Sequence, residues 1–196
     1  MISLQALEYG ANAVYLISVF LAARNSIHTW WIGVVGCLLF GWLFYRVQLY
    51  AEVSLMGFYV VTSFIGWYHW AQGKAESAIR TTHWFELGLY LLAALVVTGL
   101  YGFVLGLTTD AFAPLWDSAV TLFSVLALFL MMHRRIECWW FWLIVNTLAI
   151  PLYLERELWV TAAVYTLFWF NAWYGFFVWH RQYRSALRNT SEPVSS

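Results

Sequence analysis

Apolar residues in this chain come in long runs rather than in alternation, and short clusters of charge separate the runs. About 20 apolar residues in a helix cross a hydrocarbon core roughly 30 Å thick. Seven stretches meet that requirement, approximately 6–23, 29–46, 50–70, 84–106, 111–132, 138–154 and 157–179. Nearly every charge falls between them, which is the pattern of an all-α membrane protein with seven transmembrane helices. The first stretch follows a start without a basic segment, so it reads as a retained span and not a cleaved signal. Beyond the last stretch, His180 to Ser196 with Arg181, Arg184 and Arg188 is expected to be a polar, partly disordered tail.

Composition narrows the class further. The chain is 63% hydrophobic and 10% charged, whereas a soluble domain carries about 25% charged residues to face water. Net charge is zero, so nucleic acid is not an expected partner. Cys37 and Cys138 have no metal spacing and form no disulfide framework. No phosphate-binding glycine loop is present, and no His/Cys/carboxylate cluster is spaced to hold a metal. Neither a metal nor another cofactor is expected.

Loop charge sets an orientation. Arg24, Lys74, Arg80, Arg134, Arg135, Arg181, Arg184 and Arg188 collect on one side of the predicted spans, against Arg46 and Arg156 on the other. Lys and Arg concentrate on the cytoplasmic side. The expected topology therefore has the N-terminus outside and the C-terminus in the cytoplasm of a bacterial-type inner membrane.

The sequence also matches itself without a gap at an offset of 109, which lays 7–70 over 116–179. Trp30-Trp31 then meets Trp139-Trp140, Gly66 and Trp70 meet Gly175 and Trp179, and Glu8 meets Asp117. Three spans followed directly by three more would leave the second triplet inverted. The intervening span restores the direction. The reading is a 3+1+3 arrangement of parallel three-helix repeats in a single transporter domain, 1–180. Repeat one covers about 6–70, a linker helix about 84–106 and repeat two about 111–179, with 181–196 as a cytoplasmic tail. Parallel repeats of this kind are a transporter plan with the solute at the repeat interface.

Few side chains in the spans can recognise a solute. Glu8 and Asp117 sit near the outer ends of spans 1 and 5. A carboxylate there either faces a cavity and attracts a cation or caps its own helix. Most tryptophans fall at span ends, where their amphipathic rings collect for interfacial reasons. Trp142, Asn146, Tyr153, Tyr165 and Trp169 lie deeper. Trp142 and Asn146 are four apart and share one helix face. An amide beside an aromatic surface suits a planar polar heterocycle, and plain helix packing is the competing account. Pro151 removes one helical hydrogen bond just beyond Asn146, and a kink there would free carbonyls. His69 and His83 flank a loop and are expected to be solvated.

These residues resemble a family. Trp116-Asp117-Ser118, Trp139-x-x-Trp142-x-x-x-Asn146, Gly66-Trp67-Tyr68-x-Trp70 and Leu49-Tyr50-Ala51 are similar to segments of the PnuC-type vitamin transporters. The resemblance covers roughly residues 5–180. It implies a fold like a full-length SWEET transporter and uptake of nicotinamide riboside by facilitated diffusion, with the solute trapped by a cytoplasmic kinase. It places Trp139, Trp142 and Asn146 at the site, with Asp117 and Tyr165 as further members. Met56 and Gly36 stand where such transporters tend to carry amides. The implied partners are a small vitamin or nucleoside-like solute, the lipid bilayer, that kinase and, in a homo-oligomer, further copies of the chain.

Thiamine is the alternative solute. A membrane-embedded enzyme is the alternative of another class, and it would need clustered intramembrane His or Asp residues that the chain does not offer. A retinal-type receptor would need a Lys in a late span, and Lys74 lies in a loop.

Overall fold

A computed structural model of the chain describes residues 4–46, 50–72, 78–108, 114–155 and 159–191. The described residues form seven α-helices: α1 (Leu4–Ala23), α2 (His28–Arg46), α3 (Tyr50–Ala71), α4 (Trp84–Thr108), α5 (Pro114–Met132), α6 (Cys138–Glu155) and α7 (Trp159–Ser191). Four contain stretches long and apolar enough to cross a membrane, at Ala6–Ala23, His28–Arg46, Trp84–Val104 and Cys138–Glu155. α5 adds the shorter apolar run Ser118–Met132. α3 and α7 hold many Trp, Tyr and polar residues, which lowers their hydropathy. Outward-facing side chains such as Leu92, Leu100 and Phe103 of α4 are large, apolar and exposed, as on a helix that meets lipid.

The chain divides into two compact units, Met1–Ser77 and Ala78–Ser196. In the first, α1 packs on α2 and α2 on α3. In the second, α4 packs on α5, α5 on α6 and α6 on α7.

The end of α1 shows why these residues turn where they do. Asn25 takes a left-handed conformation, with φ 55°. Its N–H donates to the Ala22 carbonyl at 2.9 Å, and Ser26 N–H donates to the Leu21 carbonyl at 3.0 Å. This pair of bonds satisfies carbonyls that the helix end would leave open. At the end of α5, Arg134 has φ 51°. Arg134 N–H donates to the Met131 carbonyl and Arg135 N–H to the Leu130 carbonyl, both at 2.9 Å. Arg134 is buried, and desolvation pushes its guanidinium below the usual arginine range.

A short strap, residues 79–83, precedes α4 and lies along the α5–α6 turn. Arg80 N–H donates to the Arg134 carbonyl and Ile136 N–H to the Arg80 carbonyl, each at 3.0 Å. One carboxylate oxygen of Glu137 accepts Thr82 N–H and the other accepts the Thr82 hydroxyl, also at 3.0 Å. The Arg135 guanidinium donates to the Thr81 carbonyl at 2.7 Å.

α7 departs from the expected tail. It runs 33 residues, through Arg181, Arg184 and Arg188, so 180–191 is helical rather than disordered. Extending a formed helix adds a hydrogen bond per residue without new nucleation, and no Gly or Pro interrupts the stretch before Pro193. Residues 192–196 lie outside the described residues.

Candidate functional site

α6 is the centre of the second unit and carries three of the residues expected to bind solute. Trp139 begins its first turn and is 1% exposed. The ring meets Trp179 edge to face, with centroids 5.4 Å apart. It also fills the space where Gly175 would otherwise hold a Cβ. Trp139 therefore acts inside the unit as a clasp between α6 and α7. Its indole N–H is buried with no hydrogen-bond partner.

One turn on, Trp142 is half-buried, and its indole N–H is likewise buried and unpaired. Asn146 follows after another turn and is 3% exposed. A buried indole N–H without a partner loses the hydrogen bond that water gave it. Such a group on the same helix face as the buried Asn146 side chain marks a place that a polar ligand would complete.

The neighbouring turn is better satisfied. The Thr147 hydroxyl donates to the Leu143 carbonyl at 2.8 Å and accepts the Trp169 indole N–H at 3.1 Å. Pro151 lies inside α6, which continues as helix to Glu155. Close to it, the Leu148 carbonyl accepts the Trp116 indole N–H at 2.7 Å. Tyr165 of α7 is half-buried and packs against Tyr153, with centroids 4.9 Å apart. The structure thus brings Trp139, Trp142, Asn146 and Tyr165 onto the α6–α7 pair. Sequence reasoning missed Thr147 because its partner Trp169 is 22 residues away.

The two carboxylates stand differently. Glu8 is exposed on α1, in the first unit, and its backbone carbonyl accepts Asn12 Nδ2 at 2.9 Å. Asp117 lies within the first turn of α5, which begins at Pro114, so it does not hold the capping position. Its side chain lies outside the described residues. Among the described residues no group of His, Cys, Asp or Glu is arranged to hold a metal.

The nicotinamide mononucleotide transporter family model matches residues 5–181. The chain belongs to that family. Its helices and this membership make it a multi-pass membrane protein. It is 28% identical over 196 residues to the nicotinamide riboside transporter PnuC of Escherichia coli K12, covering 84% of this chain and 80% of that one. It is 25% identical over 164 residues to the riboflavin/roseoflavin transporter RibM of Streptomyces davaonensis, covering 80% and 76%. A crystal structure of the vitamin B3 transporter PnuC matches with a TM-score of 0.74 at 22% identity, over 93% of this chain and 82% of that one. That likeness shows the fold.

Proposed function

We propose that this family member takes up nicotinamide riboside across a bacterial inner membrane by facilitated diffusion, and that a cytoplasmic kinase traps the solute by phosphorylation. The observation that carries the reading is the buried, unpaired Trp142 indole N–H, one turn from the buried Asn146 side chain. A carboxamide on an aromatic ring offers both the donor and the acceptor that such an amide needs. A pyridinium ring also stacks favourably on indole, by about 0.5–2 kcal/mol. Trp142 and Asn146 contact the solute in this reading. Tyr165 contributes an edge of the site, and Trp139 positions α6 against α7. Glu8 and Asp117 draw the cation from the outer side.

Transport by this route needs the topology that loop charge suggests, with three parallel spans, a linker span and three more, the N-terminus outside and the C-terminus in the cytoplasm. A phosphatase reporter fused after Ser196 should therefore be inactive, and an active one would overturn the orientation.

Calorimetric titration of the purified protein tests the site. Nicotinamide riboside should bind the parent, and Asn146→Leu should weaken it about five- to hundredfold, the effect of losing about 1–3 kcal/mol. Leu suits a transmembrane helix, so the variant should insert and purify. Unchanged affinity would make Asn146 helix glue and move the site elsewhere.

A further inference from the structure

α7 holds no Asp, Glu, Lys or Arg from Trp159 to Trp179, and then carries Arg181, Arg184 and Arg188 in its final turns. At about 1.5 Å per residue, its 33 residues extend about 50 Å, of which a hydrocarbon core takes up about 30 Å. With the uncharged stretch in the core, the three arginines stand at and just beyond one headgroup layer.

The surface of the helix shows which side they occupy. Leu167, Phe170 and Phe177 are 54%, 61% and 62% exposed, and Tyr174 between them is exposed as well. Large apolar side chains exposed in a row mark the side of α7 that meets lipid. Their spacing, alternately three and four residues, continues without a break through Arg181, Arg184 and Arg188, which are all exposed. Residues at that spacing share one helix face. The charges therefore stand over the lipid-facing stripe and not over the packed side, where Ala172 and Trp179 are buried.

The arginines of the α5–α6 turn are committed within the protein. Arg134 is buried, and Arg135 donates to the Thr81 carbonyl at 2.7 Å. α7 itself holds no carboxylate that could answer its own arginines.

We infer that Arg181, Arg184 and Arg188 form a binding surface for the headgroups of anionic phospholipids, whose acyl chains lie along the stripe from Leu167 to Phe177. A guanidinium makes charge-assisted hydrogen bonds to a phosphodiester, and its apolar stem rests against the acyl boundary while its head reaches the phosphate. A second copy of the chain fits this stripe poorly, because two such stripes would set arginine against arginine. The inference is independent of which solute the protein carries.

Full-length protein in neutral-detergent micelles is titrated with phosphatidylglycerol, phosphatidylcholine or inorganic phosphate, and its thermal midpoint is followed. A ligand that binds the folded state alone raises that midpoint. Phosphatidylglycerol should raise it for the parent, and the rise should shrink as salt goes from about 0.05 to about 0.5 M. Phosphatidylcholine, which has no net charge, and free phosphate should leave it in place. R181Q/R184Q/R188Q should need at least about fivefold more phosphatidylglycerol for half the rise, the effect of a single arginine at an anionic surface. Gln forms helix well, and R181Q/R184Q reads the same surface should the triple variant fail to fold. Arg46→Gln, at the exposed end of α2, should titrate as the parent does. A parent stabilised no more by phosphatidylglycerol than by phosphatidylcholine would overturn the inference. So would a triple variant with the parent's titration, an equal loss in Arg46→Gln, or an equal response to free phosphate. A triple variant that keeps the lipid response but changes oligomeric mass in light scattering would give the stripe to a second copy and overturn it as well.

Discussion

The first triplet, α1–α3, and the second, α5–α7, fold their turns and clasps alike and then diverge on the face beside them. Trp30 meets Trp70 edge to face at 5.3 Å, as Trp139 meets Trp179 at 5.4 Å. Trp30 fills the space above Gly66 as Trp139 fills that above Gly175. Trp31 touches Phe64 and Trp67, and Trp140 touches Trp173 and Phe176. The left-handed residues Asn25 and Arg134 stand at the same offset of 109. Both clasps also bury an indole N–H without a partner, so at Trp139 the unpaired group accompanies the clasp and does not by itself point to a ligand. Trp142 is different, because its counterpart Gly33 carries no side chain. The comparison thus separates what packs a triplet from what distinguishes one triplet from the other.

The turns are tied differently. In the first unit the Ser18 hydroxyl donates to the Thr29 carbonyl and the Thr29 hydroxyl to the Ser18 carbonyl, both at 2.8 Å. Ala127 and Cys138, the matching pair, are buried and make no such exchange through their side chains. The second unit instead has the Glu137–Thr82 strap, where the first has His28 in place of Glu137.

Substitution at the clasp should have the largest effect and is the sharpest way to break the likeness. Trp30→Ala and Trp139→Ala should each destabilise by about 3–5 kcal/mol, the cost of emptying a large buried aromatic site. Chemical unfolding in mixed micelles should return matching losses. A loss at one site only would mean that the clasps are alike in shape but not in energy. Gly66→Ala and Gly175→Ala come next. Each would push a methyl into an indole ring and should cost about 1–3 kcal/mol as overpacking, read as a lower thermal midpoint.

Smaller effects should separate the units. Ser18→Ala removes the hydroxyl that donates to the Thr29 carbonyl, while the Thr29 hydroxyl keeps the Ser18 carbonyl, and should cost about 1–3 kcal/mol. Ala127→Ser, its mirror, should not stabilise the second unit by a comparable amount. Glu137→Gln keeps an acceptor but loses the charge in the bonds to Thr82, and should cost about 1 kcal/mol. His28→Gln should stay within about 0.5 kcal/mol, as exposed substitutions do. Equal responses at 137 and 28, by thermal unfolding, would contradict the strap's part in this difference.

Much of this is legible in the sequence alone. The run 6–23 became Leu4–Ala23, and 138–154 became Cys138–Glu155, because a long apolar run bounded by charge has few ways to satisfy its backbone in lipid. The same logic misjudged the end of α7, where hydropathy falls but helix propagation continues. The tryptophans at span ends read as interfacial residues, and Trp31 and Trp140 are indeed 43% and 45% exposed. Trp30 and Trp139, their immediate neighbours, are buried clasps instead. Adjacent helical positions differ by about 100° of rotation, so one residue decides between lipid and core.

The sequence by itself determined the helix count, nearly all helix boundaries and the residue types available to a solute, since each follows from local composition and period. Only the tertiary structure decided which of those residues are committed to one another. It paired Trp169 with Thr147, Thr82 with Glu137 and Trp139 with Gly175, and buried the Trp142 indole N–H without a partner one turn from Asn146. Those partners lie 22 to 55 residues apart in the bonded pairs. Proximity at that range is set by helix packing, which no local pattern of apolar and polar residues encodes.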